Sequence, residues 1–356
     1  MQKMRSRVPQ MDLLRIAACL MVIGIHVIAE AMPQTQPGTF QWYVLTGYGN
    51  ILRAAVPVFF MLSGMFSRST DWRRSVKRAL RFLLLYLLAT LLYQGVYVAE
   101  SYAAGLETRP LAKALLESAY QGLLLPRYHL WFMPEYIALV LAGPVIHAAI
   151  ERVPALLNYA AAVFLLGTVG IDTVKVLFGG NALVWSIVSF LPDIRLEYLG
   201  YYLLGRLMFE HRQRITPKLR AALAALGVAG LVWVFVLTQN ISMRHGGMDE
   251  TYYQHFFAGI CMQAIGWVAL FDGLRLPERW HGLISRMASM TMSVYLTHIF
   301  VIEMMSYAGL RAQRITTVIG VPLKTAAVFA ICCGMCMAWR AMVRAARRIA
   351  GGSVGE

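Results

Sequence analysis

Charge is scarce in this sequence, and negative charge most of all. Of its 356 residues 14% are charged, 18 acidic against 33 basic, while 58% are hydrophobic. Soluble domains carry about 25% charged residues, so an ordinary water-facing surface is excluded. The formal charge of +15 would suggest nucleic acid in a soluble protein. Here it needs no such partner, because membrane proteins gather Lys and Arg in their cytoplasmic loops. Cysteine is also sparse, with five residues (Cys19, Cys261, Cys332, Cys333 and Cys336) mostly inside apolar runs. Cys333 and Cys336 have CxxC spacing, yet no second pair or His cluster completes a metal site. No segment of 20–50 residues repeats, and the internal duplication common in transporters is lacking. With no separate soluble domain in view, residues 1–356 read as a single integral-membrane domain.

What the chain does have is long apolar runs. A spanning helix needs about 20 mainly apolar residues. That window predicts an all-α polytopic bundle of about ten transmembrane helices, near 12–31, 44–66, 80–99, 130–150, 156–178, 191–209, 219–237, 256–271, 284–305 and 318–343. The sixth is interrupted by Asp193, Arg195, Glu197 and Arg206, but its Tyr198–Gly205 core has small residues at packing spacing. With the N-terminus inside, most Lys and Arg fall on the cytoplasmic side, in clusters such as Arg73–Arg81, Arg212–Arg220 and Arg340–Arg348. That asymmetry predicts an even number of crossings and two cytoplasmic termini. The first apolar run resembles a signal peptide, with Ala29-Glu30-Ala31 imitating a cleavage site. Asp12, Arg15 and His26 inside it argue for an uncleaved helix instead. The longest outer loop, 100–129, is polar enough to cover an outward-facing cavity.

Ionisable residues inside a membrane cost roughly 2.5–3.5 kcal/mol each on insertion scales, so they signal function. Arg15 and His26 are eleven positions apart in the first helix. Three turns plus about 20° put them on one face, roughly 16 Å apart along the axis. Imidazole takes a proton near neutral pH, as a general base must, and guanidinium suits phosphate or carboxylate. The same residues also fit a plainer account, in which Arg15 snorkels to the interface and His26 makes one interhelical hydrogen bond.

Several segments together carry a resemblance. They are Asp12-x-x-Arg15 followed by His26; Val56-Pro57-Val58-Phe59-Phe60-Met61-Leu62-Ser63-Gly64; Tyr128-His129-Leu130-Trp131-Phe132; Tyr198–Gly205; and Ser293-Val294-Tyr295-Leu296-Thr297-His298. In this order, over most of the chain, they resemble the acyltransferase-3 family of integral membrane acyltransferases, in the form without an extra periplasmic domain that includes surface-glycan O-acetyltransferases. The resemblance implies an enzyme of the bacterial inner membrane. It would move an acyl group, acetyl by preference, from cytoplasmic acyl-CoA to a hydroxyl of a surface or lipid-linked glycan. It implies His26 as catalytic base and Arg15 as donor-binding residue. Acetyl-CoA would be a substrate, with no permanently bound cofactor and no metal; the remaining partners would be the glycan acceptor and membrane lipids. A transporter or flippase of a polar or lipid-linked substrate is the alternative class.

Other candidates keep two readings each. Arg78 and Arg81 lie one turn apart beside the membrane and would grip CoA phosphates; a cytoplasmic positive-inside loop needs them equally. Glu135, near where larger family members often place a Glu, would orient His26 or a substrate hydroxyl, or pair with Arg53 or Arg206. His129 would touch the acceptor or cap its helix. Trp131, with Tyr128, Tyr201 and Tyr202, would stack on a sugar or belong to the interfacial aromatic belt. Ser63 is a nucleophile candidate, or a small contact residue beside Gly64. His298 is followed by Ile299 where the family motif continues with Pro, which leaves it an acceptor contact or a structural histidine.

Overall fold

The structure is a computed structural model that describes residues 8–67, 69–124, 129–190, 195–312 and 317–352. Lys3, Arg5, Arg7, Arg68, Arg127, Tyr128, Asp193 and Arg314 lie outside the described residues. Every regular element among those described is helical. Seven helical stretches among them are long and apolar enough to cross a membrane, or eight if one bent pair counts as a single span. Two compact units emerge, Met1–Met65 with Ala160–Glu356, and Phe66–Tyr159.

In the larger unit, α1 (Pro9–Ala31) is the hub. It is apolar on nearly every side, which suits a helix surrounded by others. α2 (Phe40–Leu52), α12 (Ala258–Asp272), α13 (Glu278–Ala288), α14 (Thr291–Tyr307) and α15 (Thr317–Gly352) all pack against it. Pro9 starts α1 with a ring that needs no N–H partner, and Pro33 follows its end in a 3-10 turn, Met32–Gln34. Thr39 caps α2 by accepting from the Trp42 N–H at 3.3 Å.

The second predicted span is two helices. α2 stops at Leu52, and α3 (Ala55–Phe66) resumes after a break at Arg53 and Ala54. Pro57 explains the break: proline donates no hydrogen bond and its ring clashes with the carbonyl four residues earlier, which is that of Arg53.

α10 (Glu197–His211) and α11 (Pro217–His245) complete this unit's close packing. α10 meets α3 in a close glycine-mediated contact. A Cβ on Gly64 would stand 1.8 Å from the Tyr202 carbonyl oxygen, and one on Gly205 2.2 Å from that of Met61. α11 and α12 are antiparallel, with Gly227 against Gly266 and Val234 against Gly259. A run from α7 (Ala155–Val163) through a π-helical stretch, Phe164–Gly170, into α8 (Ile171–Phe178) forms the fifth predicted span.

The smaller unit holds α4 (Trp72–Ala103), α5 (Leu111–Leu124) and α6 (Phe132–Arg152), with α4 packed on both others. Asp71 caps α4 by accepting from the N–H groups of Arg73 and Arg74. The outer loop read as 100–129 is shorter than expected, because α4 continues to Ala103 and α5 fills much of the rest. Glu107, held by Arg109, keeps its carboxyl well below the usual range, at about 2, in the connection between α4 and α5.

Three further predicted spans differ in form from plain crossings. α10 and α12 have 15 residues each. The ninth is the pair α13 and α14, bent by 59°. α9 (Ala182–Phe190) was not expected as a separate helix.

Candidate functional site

His26 sits four residues from the Glu30 end of α1 and is half-buried. His298, on α14, is fully buried. Their rings approach to 5.2 Å between centroids, tilted by 41°. His298 Nδ1 lies 2.7 Å from the Tyr295 carbonyl oxygen. A carbonyl only accepts, so Nδ1 carries the hydrogen and Nε2 is the lone-pair nitrogen of the neutral ring. The packing of α14 on α1 thus brings together two candidates 272 residues apart in sequence.

Arg15 lies three turns from His26 toward the N-terminus and bonds Asp12 at 3.1 Å. It therefore belongs to the end of α1 opposite His26. One turn beyond His26 in the other direction is a polar layer that sequence reasoning missed. Lys324, on α15, donates to Glu30 at 2.6 Å and to Ser306 at 2.8 Å. Its side chain is 3% exposed. Arg311 lies 4.0 Å from the same carboxylate.

Beside the break between α2 and α3 is a second missed group. Arg53 pairs with Glu250, and its guanidinium stacks on the Tyr253 ring, 4.5 Å from the centroid. The Tyr198 hydroxyl meets His255 Nδ1 at 2.9 Å, and the Tyr201 hydroxyl donates to the His255 carbonyl. Phe60 stacks on Tyr198 at 4.5 Å. The sequence held one usable signal, Pro57 four residues after Arg53. It held none for Glu250, 197 residues away.

Ser63 donates to the Phe59 carbonyl of its own helix at 2.8 Å. That bond engages the hydroxyl hydrogen within the helix. In the smaller unit, Arg78 and Arg81 are both exposed on one side of α4. Arg78 donates to the Tyr136 hydroxyl at 2.5 Å and lies over the Phe82 ring. His129 is buried, edge-on to Tyr93 at 4.7 Å. Trp131 occupies the N-cap position of α6, and Glu135 is in that helix's first turn. Arg206 pairs with Glu210 at 2.9 Å. Among the described residues, no three His, Cys, Asp or Glu side chains cluster closely enough to hold a metal ion. The five cysteines are buried free thiols.

Comparison with known proteins bears on what this arrangement is. A serine/alanine racemase from Enterococcus gallinarum is 31% identical over 176 residues, which cover 45% of this chain. The match spans 22% of that protein's length, so the racemase name describes the relative alone. No solved structure matches the chain. A family model described as an acyltransferase domain matches residues 8–337, nearly the whole length. With that match over the helices just described, the chain belongs to the acyltransferase-3 family.

Proposed function

We propose that this acyltransferase moves an acetyl group from cytoplasmic acetyl-CoA to a hydroxyl of a surface or lipid-linked glycan, with His26 as general base. The observation that carries this reading is the pairing of His26 with His298, whose tautomer is fixed by the Tyr295 carbonyl. A base packed against a second group that is itself held suits the activation of a nucleophile. The lone pair of His26 takes the acceptor hydroxyl proton as the oxygen attacks the thioester carbonyl carbon. The C–S bond breaks, and the CoA thiolate leaves with the proton from the His26 imidazolium. The products are an O-acetyl ester and CoA–SH.

Arg15, at the opposite end of α1, suits the anionic donor. Arg78 and Arg81 offer an exposed basic pair for the CoA phosphates. Glu135 is kept as a candidate for orienting the base or the acceptor hydroxyl, and His129 and Trp131 as acceptor contacts.

The accompanying topology has ten crossings, with both termini in the cytoplasm of a bacterial cell bounded by this inner membrane. Basic loops that alternate along the chain with poorly basic ones support it.

The test compares purified wild type with His26→Ala for binding of acetyl-CoA and for transfer of its radiolabelled acetyl group. Retained binding with a rate lower by about 10²–10⁴-fold, the usual worth of a general base, supports the reading. Failure of both proteins to bind acetyl-CoA refutes it and turns attention to transport.

A further inference from the structure

Two interruptions of the helical bundle meet at Arg53. The first is the Pro57-induced break between α2 and α3, where Arg53 itself sits. The second is the descent of the chain between α11 and α12. Gly259 lies against Val234, so α11 runs on from Val234 to His245, about 16 Å past the start of α12. Residues 246–257 fill that height, with Tyr253 and Phe257 packed on Val234 and the Tyr253 hydroxyl donating to the Thr46 carbonyl at 3.2 Å. Tyr198, in the first turn of α10, meets His255 from that same descending segment.

Backbone without helical hydrogen bonds is tolerated at membrane depth where it is buried in protein or lines a water-filled cavity. Here the polar groups it presents are only partly covered. Arg53, Tyr198 and His255 are all half-buried, as is His26.

Arg53 differs from the other internal cations in how it is held. Asp12, Asp272, Glu30 and Glu210, the acids that hold Arg15, Arg220, Lys324 and Arg206, have side chains 12%, 13%, 24% and 32% exposed. Glu250, which holds Arg53, is 59% exposed. An ion pair with so solvated an acid contributes little and is exchangeable. Arg53 Nε is itself buried with no hydrogen-bond partner. The guanidinium therefore has donor capacity for a second, bidentate carboxylate, backed by the Tyr253 ring.

We infer that Arg53, Tyr198 and His255 form the acceptor subsite, and that it takes a sugar bearing a carboxylate, which displaces Glu250 from Arg53. This rests on the acetyl-transfer reading above and names its substrate class: a uronate-type acidic sugar rather than a neutral one. Tyr198 and His255 supply the donor and acceptor that sugar hydroxyls need. Glu250 occupies the subsite while it is empty and keeps Arg53 paired.

The experiment uses the full chain in detergent, labelled acetyl-CoA, and two probes that differ only at C6: p-nitrophenyl β-D-glucuronide and p-nitrophenyl β-D-glucoside. Wild type is expected to favour the glucuronide by about tenfold or more in kcat/KM, a factor equal to about 1.4 kcal/mol. Arg53→Gln should bring the ratio of the two probes to about one, and Arg53→Lys should restore it in part. Glu250→Gln, which removes the competing carboxylate, should lower KM for the glucuronide while shifting kcat less. A wild type without carboxylate preference overturns the inference, as does an unchanged ratio in Arg53→Gln or a raised glucuronide KM in Glu250→Gln. Acetyl-CoA binding, measured on the same samples, separates the cases. Bound donor with no preference sinks this subsite alone, whereas no bound donor sinks the acetyl-transfer reading with it.

Discussion

His298 is buried on a helix it shares with its own hydrogen-bond acceptor, so its ring cannot turn without losing the Tyr295 carbonyl. His298→Ala should therefore lower kcat more than it raises KM, since it removes a group that acts on the base rather than on bound substrate. The measurement is steady-state kinetics with varied acetyl-CoA; equal effects on both parameters would assign His298 a binding role instead. Lys324 makes a different demand. Its removal would leave the half-buried Glu30 and Ser306 without their cation, at a cost below that of breaking a fully buried pair, about 3–5 kcal/mol. Lys324→Met should unfold at markedly lower temperature than wild type. The double variant with Glu30→Gln should recover part of the loss, as coupled neighbours do.

The residues differ in how visible they were from sequence, and the reason is physical. An imidazole in an apolar run stands out by its insertion cost, which is why His26 could be singled out unaided. Arg53 stands out by the same measure, but a charge is understood through its partner. Glu250 and Tyr253 reach it only because a distant loop drops into the bundle.

At the scale of helices, hydropathy marked where the chain is apolar but not where it bends or how far it extends. Pro57 could have announced the interruption after α2. The 59° turn between α13 and α14 falls at Ser289 and Met290, which carry no such mark. α10 and α12, with 15 residues each, are shorter than the apolar windows that marked them. Close contact between helices, by contrast, was foreshadowed by small residues. Gly205→Leu should abolish a monodisperse, folded protein, because its first side-chain carbon already meets the Met61 backbone at 2.2 Å. Gly334→Ala, with nothing within 4 Å of the added carbon, should behave as wild type in size-exclusion and melting experiments.

At the scale of the whole chain, the proposed ten crossings make a side-specific prediction. Arg244→Cys and Gly105→Cys should react from outside intact cells with a membrane-impermeant maleimide. Gln213→Cys and Arg275→Cys should react only after permeabilisation. If α10 does not cross, Gln213→Cys becomes reachable from outside, and the count fails at that helix. The native thiols are buried and should leave the background low.

The π-helical stretch Phe164–Gly170 sets the rotational phase of everything that follows it in its run. Three residues later Thr173 accepts from the Ala258 N–H at 2.8 Å, closing the first turn of α12. An in-frame loss of one codon within 164–170 would turn α8 by about 100° and swing Thr173 away from that amide. Such a deletion would leave hydropathy, charge and every proposed reacting group untouched, yet it would unfasten the start of a helix far along the chain. In a deletion scan, this short stretch should register as sharply as the residues that do the chemistry.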